Sequence, residues 1–355
     1  MKNKNVTIRV LHLLSSNQFS GAENVVCQIM EMFEQDKRFE MLYVSPYGEI
    51  DKELKERNIP HKCIKKLSIL EVYKIIEQWQ PTIIHAHDRK ATIFSAILKK
   101  KNRKLLSHIH NNFEDMRTVN LKSIICNWAF KKAEHIFFVS DSAYKSFYFK
   151  NNIEYKSTVI RNVINKQFLL NKIKEDVCDY DYDIVFLGRL TWQKNPQRML
   201  ELVSMLRKKY NNFKVAFIGT GELEDELVMY VQKNNLEKNV FFLGYRSNPY
   251  KLLSSSKLLV MTSRMEGMPM AALEAMALGI PIISTPTDGL CDLIEDAKNG
   301  FLSNDNDILC EQILRVLENK ELWKILSNNT LNRFQELSNI EEYRSILCKK
   351  YLEMV

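Results

Sequence analysis

The sequence predicts an α/β protein of two Rossmann-like, doubly wound domains, and three observations predict it. Short runs of β-branched and aromatic residues alternate with longer helical stretches, most of those runs are continuously apolar, and the pattern restarts after "CDYDYD" at residues 178–183. Continuously apolar strands belong to parallel sheets covered by helices on both faces. A chain of 355 residues that is 45% hydrophobic also has enough material for two cores.

The expected strands of the first half are "IRVLHLL", "EMLYVS", "TIIHAHD", "KLLSHIH", "HIFFVS" and "STVIRN". Those of the second half are "DIVFLGR", "KVAFIGTG", "VFFLGY", "LLVMTS" and "PIISTP". This divides the chain into a first domain at 1–165, a linker at 166–182, a second domain at 183–335 and a polar C-terminal helix at 336–355, which could pack back on the first domain. Open parallel sheets bind ligands beyond the carboxyl ends of their strands, so the chemistry is expected in the residues following each strand, and two such domains facing each other would enclose a cleft.

Composition narrows the class. No run reaches the roughly 18 apolar residues of a membrane span, and the start "MKNKNVTIRVLHLLSS" lacks the apolar core and cleavage site of a signal peptide, so a cytoplasmic protein is expected. The seven cysteines are scattered without a CxxC pair, which suggests neither a disulfide framework nor a zinc ribbon. The net charge of +8 is uneven: residues 1–165 hold 27 Lys and Arg against 17 Asp and Glu, and the remainder 24 against 26. An anionic partner of the first half would explain the excess, and so would a solvated basic face. No nucleic-acid-binding motif accompanies the charge, so nucleic acid is not an expected partner.

In "SSNQFSGAEN" after the first strand, Gly21 allows close backbone approach, and a helix from about Ala22 would aim its free amides at an anion. "HAHD" and "HIH" place His85 with His87, and His108 with His110, on one face of their strands. A zinc site would normally add carboxylate or cysteine ligands at defined spacing, so no metal is expected. His110 ends its strand and either hydrogen-bonds a substrate hydroxyl or is structural. "FLGRLTWQKNP" sets Arg189 and Lys194 around one loop after Gly188, as a fork and a mobile point charge suited to a diphosphate. "FIGTGEL" repeats the glycine turn with Gly219 and Gly221.

"RMEGMPMAALEAMALGIPI" reads as a loop followed by a helix from about Pro269 to Leu278, with Pro269 at the first helical position. Glu266 then lies on the loop and Glu274 inside the helix, while the amides of Gly267, Met268 and Met270 gather near the helix start. A carboxylate accepts two hydroxyls from adjacent sugar carbons, so one acid could hold a hexose and the other a ribose, with phosphate between them. That is the order of groups in a nucleotide sugar. The Asp-x-Asp in "DYDYD" precedes a strand within the expected linker, and "DND" at 305–307 reads as a helix cap.

With these elements in order, the chain resembles the family 4 retaining glycosyltransferases of the GT-B fold over almost its whole length. The resemblance is carried by Glu266 through Glu274 in EG-x-P-x-x-x-x-EA-x-A-x-G-x-P, and by "SGAEN", "FLGRLTWQKNP", "FIGTGEL", "FFLGY" and "TDGLCDLIEDAKNGFL". It implies that Arg189 and Lys194 contact the donor diphosphate, Glu266 the transferred sugar and Glu274 the ribose, with Gly21 against the diphosphate and His110 near the sugar. It further implies a metal-independent, cofactor-free transferase of hexosyl or N-acetylhexosaminyl groups. Base recognition is expected near Tyr245 and Arg246, with UDP the expected nucleotide. The departures are Ser20 before Gly21, Val163 where glycine is common, and Glu222 where proline is frequent.

The acceptor expected from the basic first half is a lipid-linked sugar at the inner membrane face, reached by peripheral contact of "KKKNRK" and "YKSFYFKNNIEYK" with anionic lipid. This would suit synthesis of capsule, exopolysaccharide or related polymers. The alternative is a non-catalytic nucleotide-sugar-binding relative that acts as a partner subunit.

Overall fold

The computed structural model describes residues 7–112 and 114–355; the first six residues of the stretch read for a leader, and Phe113, lie outside them. The chain divides into two units. The first comprises the described residues up to Val163 together with Asn339–Val355, and the second Ile164–Ser338.

The first unit runs β1 (Ile8–Leu13), α1 (Gly21–Phe33), β2 (Phe39–Pro46), α2 (Ile50–Glu56), β3 (His61–Ile64), α3 (Ile69–Trp79), β4 (Ile83–Ala86), α4 (Arg89–Ile97), β5 (Lys104–Ile109), α5 (Leu121–Lys132), β6 (His135–Phe138), α6 (Asp141–Lys145) and β7 (Ser157–Val159). All its described strand pairs are parallel, in the order β3-β2-β1-β4-β5-β6-β7. The chain winds outward one way from β1 and then the other way from β4, so the order reverses between these two strands. The loops after β1 and β4 therefore leave side by side. They are tied there: Asp88, the N-cap of α4, accepts from the amides of Ala91 (2.8 Å) and Ser15 (2.7 Å).

The last helix of the chain, α15 (Ile340–Glu353), belongs to this unit. Arg344 donates to Met32 O at 2.9 Å and to Asp36 at 2.8 Å, and the buried Tyr351 packs against Phe33 and Phe39. Its hydroxyl meets His85 Nδ1 at 2.8 Å, within a raft of imidazoles on one face of the sheet. His12 pairs in register with His85 across β1 and β4, and the rings of His85 and His87, and of His108 and His110, lie 4.0 and 4.2 Å apart.

The second unit runs α7 (Lys166–Glu175), β8 (Ile184–Leu187), α8 (Pro196–Lys209), β9 (Val215–Ile218), α9 (Glu224–Lys233), β10 (Val240–Phe242), α10 (Tyr250–Ser255), β11 (Leu258–Met261), α11 (Met270–Ala277), β12 (Ile282–Ser284), α12 (Asp288–Cys291), β13 (Gly300–Leu302), α13 (Asn306–Glu318) and α14 (Lys320–Leu337). Its sheet is also parallel, ordered β10-β9-β8-β11-β12-β13, with the reversal between β8 and β11.

The structure differs from the sequence reading in several places. Strands β3 and β13 were not expected; they are short edge strands, HKCI and GFL, with too few apolar residues to stand out as a run. The stretch read as a linker begins with α7, capped by Asn165 and fastened to its own unit where Asn248 and Lys251 donate to the carbonyls of Lys172 and Asp176. Pro269 is the N-cap of α11, with extended backbone, and is not its first helical residue. Asp181 and Asp183 form ion pairs with Lys214 (2.7 Å) and Lys257 (2.8 Å). At the other acidic pattern, Asp305 caps α13.

Burial holds His12 and His110 down to about 3, and His85, His87 and His108 well below their ordinary value of 6.5. Between those values the folded protein binds fewer protons than the unfolded chain. The stability these residues contribute is thus complete above about 6.5 and is lost as the pH falls toward 3. Urea melts at decreasing pH below neutrality should show the unfolding free energy dropping by up to about 1.4 kcal/mol per pH unit for each histidine. His108→Phe should flatten that slope by about one proton; an unchanged slope would contradict burial of neutral rings.

Candidate functional site

The second unit gathers most of the expected residues around the reversal of its sheet. The loop after β8 carries Gly188, Arg189 and Lys194, and the loop after β11 carries Ser263 to Pro269. The reversal between β8 and β11 leaves the crevice between these two loops free of a crossing helix. The methylenes of Lys194 pass over Gly188, where a Cβ would lie 3.5 Å from the side chain. The Lys194 ammonium ends 2.6 Å from Glu266 Oε1, and that same oxygen accepts from the Ser263 hydroxyl at 2.6 Å. Glu266 is only 4% exposed. A carboxylate so enclosed is tolerable because an ammonium and a hydroxyl replace its hydration.

The loop carrying Glu266 is braced from three sides. The Arg264 amide donates to Gln193 O at 2.8 Å, and Gln193 Nε2 donates to Met265 O at 3.0 Å. Arg264 Nη2 adds a bond to Asn195 Oδ1 at 3.0 Å, and its guanidinium lies over the Trp192 ring. Thr285 Oγ1 donates to Ser263 O at 2.7 Å. On the third side the Gly289 amide donates to Glu266 O at 3.2 Å, and a Cβ on Gly289 would lie 2.3 Å from Gly267 O, an impossible contact. Only glycine lets the "TDG" turn close on the "EG" turn.

The neighbouring loop is set as tightly. Gly219 has φ +135, its amide donates to Gly244 O at 2.8 Å, and a Cβ there would lie 2.1 Å from Gly188 O. The loops after β8, β9 and β10 are thus stacked backbone on backbone. Tyr245, exposed, and Arg246, half-buried, follow Gly244; Arg246 Nη1 lies 3.4 Å from the Tyr180 hydroxyl. Arg189 is exposed at the head of the β8 loop. Gly267, Met268, Pro269 and Met270 are buried at the start of α11, and Glu274 is 7% exposed inside that helix. Of two loop residues that the sequence reading did not single out, Ser263 bonds Glu266 and Arg264 holds its loop. Their signal was position: they follow directly on Thr262 in the polar cluster beyond the apolar end of β11.

Gly21 and His110 belong to the first unit. Gly21 is exposed and is the first residue of α1, one earlier than expected. His110 follows the carboxyl end of β5, and its Nε2 meets His87 Nδ1 at 3.1 Å, while His87 Nε2 meets His12 Nδ1 at 2.9 Å. His110 Nδ1 makes no hydrogen bond. In such a chain the tautomers are coupled: if His12 Nδ1 accepts from His87, then His87 accepts from His110, and His110 Nδ1 is left as an acceptor; the reverse order leaves it a donor. Ring nitrogens of His12, His85 and His87, and of His87, His108 and His110, cluster within 4.8 Å. The two N–N distances along the chain are those of hydrogen bonds, shorter than the roughly 3.3 Å between two nitrogens bound at about 2.05 Å to a tetrahedral zinc.

Comparison with known proteins agrees with this fold. The family model for glycosyl transferases group 1 matches residues 171–333, and that for glycosyltransferase family 4 matches residues 19–168. An uncharacterized glycosyltransferase of Methanocaldococcus jannaschii is 30% identical over 323 residues, covering 80% of this chain and 74% of its own. The UDP-Gal:alpha-D-GlcNAc-diphosphoundecaprenol alpha-1,3-galactosyltransferase of Escherichia coli is 25% identical over 100% of this chain and 99% of its own. Among solved structures, Anabaena HepE in complex with UDP-glucose superposes with a TM-score of 0.85 at 19% identity, over 98% of this chain and 100% of that one. With its two parallel-sheet units and the braced acidic loop of the second, the chain belongs to the family 4 type of GT-B glycosyltransferases.

Proposed function

We propose that the protein transfers a hexosyl or N-acetylhexosaminyl group, with retention of anomeric configuration and without a metal, from a UDP-linked donor to a lipid-linked glycan acceptor in cell-surface polysaccharide synthesis at the inner membrane face. The observation that carries this reading is the Lys194–Glu266 pair at the reversal of the second sheet, beside the start of α11. In the resting protein each of these charges satisfies the other. A donor would insert its diphosphate toward Lys194, Arg189 and the amides of Gly267, Met268 and Met270, freeing Glu266 to accept sugar hydroxyls. Glu274 would take the ribose hydroxyls, and Tyr245 with Arg246 would flank the base.

As the bond from the anomeric carbon to the phosphate oxygen breaks, negative charge collects on the leaving UDP, and the two cations and the helix amides are already aimed at it. The acceptor hydroxyl would add on the same face and give its proton to the departing phosphate. The imidazole chain has an unbonded nitrogen at each end, His12 Nε2 and His110 Nδ1, and His110, just beyond the carboxyl end of β5, would be the one to meet a hydroxyl of the transferred sugar. Glycosyltransferases of diphosphoundecaprenol-linked sugars among the relatives support a lipid-linked acceptor.

Thermal-shift titration with UDP and GDP sugars, followed by release of free nucleotide from the preferred donor, tests the reading. Stabilisation by a UDP-sugar together with slow hydrolysis is expected. Binding without any turnover in the presence of acceptor would identify a non-catalytic relative instead. Two further outcomes separate the roles of the acids. Glu274→Ala should weaken UDP binding by about ten- to a hundredfold, the worth of hydrogen bonds to a charged acceptor, whereas Glu266→Ala should chiefly lower kcat. Equal donor affinity and equal turnover in both variants would refute that assignment. Lys194→Met leaves the Glu266 charge enclosed and should cost about 3 kcal/mol in urea melts, and the double variant with Glu266→Gln should recover much of that loss.

A further inference from the structure

The outer face of α5 presents the wrong chemistry for a solvated helix. Its inner face buries Ser123, Cys126, Ala129 and Phe130 against the sheet. Its outer face, at the spacing i, i+3, i+4 and i+7, is Leu121, Ile124, Ile125 and Trp128, from 38% to 72% exposed. A helix that is apolar on both sides either lies within a core or meets a second apolar phase. The helix carries Lys122, Lys131 and Lys132 and no acidic residue, and of the three Lys122 is paired with Asp115 at 3.1 Å.

The stripe does not end with the helix. The segment 146–156 runs alongside: the Tyr148 amide donates to Met116 O at 2.8 Å, and the Lys156 ammonium donates to Lys131 O at 2.9 Å. That segment adds the exposed rings of Tyr148 and Tyr155. The basic run "KKKNRK", by contrast, lies at the opposite end of β5 from His110, and much of its charge is engaged: Lys99 with Glu134 at 2.7 Å, Lys100 with Glu77 at 2.8 Å, and the buried Arg103 with Glu77 at 3.5 Å.

We infer that the outer face of α5, with Tyr148 and Tyr155 beside it, is the surface by which this protein lies on an anionic lipid bilayer. Aliphatic side chains and a tryptophan along one helical stripe, with aromatic rings at its flank and lysines at both ends, are what the boundary between headgroups and acyl chains accommodates. A second copy of the chain fits less well, because a two-fold contact on this stripe would set the three lysines of one copy against those of the other. The inference deepens the proposed function and rests on it for its purpose: α5 follows the loop that leaves His110, so lipid held at this face would present a lipid-linked acceptor to that end of the sheet.

The test uses the full chain with sedimentation on vesicles of phosphatidylcholine alone and of phosphatidylcholine mixed with phosphatidylglycerol. The wild type should bind the mixed vesicles, release as salt rises, and show Trp128 quenching by brominated acyl chains that Trp128→Phe lacks. The pair Ile124→Glu with Ile125→Glu should weaken vesicle binding about tenfold or more, with the unfolding midpoint and the UDP-induced shift unchanged. A wild type that ignores the vesicles, a variant that binds them equally well, or a wild-type dimer that the variant converts to monomer would each overturn the inference. Sugar transfer to a short-chain, water-soluble diphospholipid acceptor keeps the two readings apart. Vesicle binding without transfer sinks the acceptor reading alone, and transfer without vesicle binding sinks this one alone.

Discussion

The enclosed ion pair of Lys194 and Glu266 is the constraint on which the second unit depends. Neither charge could be taken out of water alone, and they meet only because a parallel sheet that reverses its winding sets the loops after its first and fourth strands next to each other. The bracing around the pair follows from the same need. Ser263 occupies a second lone-pair direction on the same carboxylate oxygen, and Gln193, Arg264, Thr285 and Gly289 hold the loop so that the carboxylate stays where the ammonium reaches it. A site that stabilises charge as it develops must have its dipoles in place beforehand, and these loops have little freedom left to rearrange.

The first unit solves a different problem. Five histidines on one face of its sheet cannot all be charged so close together and so shielded from solvent, and burial keeps them neutral. Neutral imidazoles each have one donor and one acceptor, so they can bond to one another in a chain, as His12, His87 and His110 do. His85 instead finds the Tyr351 hydroxyl on α15, which makes the last helix of the chain part of this unit's interior. His108 bonds through neither nitrogen, the least satisfied position of the group.

How much of this was legible varied with the length and redundancy of the signal. The central strands β1, β4, β8 and β11 are apolar, end in recognisable polar clusters and were readable to within a few residues. The edge strands β3 and β13 were not, because HKCI and GFL are too short and too mixed in polarity to form an apolar run. Around the site, Glu266, Glu274, Arg189 and Lys194 stood out as charges in apolar or glycine-rich settings. That Lys194 is bonded to Glu266 could not be read, because 72 residues separate them. The apolar outer face of α5 escaped notice for a related reason: "LKSIICNWAFKK" looks like an ordinary buried helix until its burial shows that only one side of it is covered.

The sequence by itself determined the two parallel-sheet units, the approximate positions of the central strands and the chemical types present at each strand end. These properties are local, since periodicity, glycine and proline placement and residue chemistry are all expressed within a few neighbours. Only the tertiary structure decided which strand ends are adjacent, which charges neutralise one another, that α15 closes the first unit, and which apolar residues remain uncovered. Adjacency in a doubly wound sheet is set by crossovers tens of residues long, and burial depends on every element packed against a side chain, so neither is written in any single stretch.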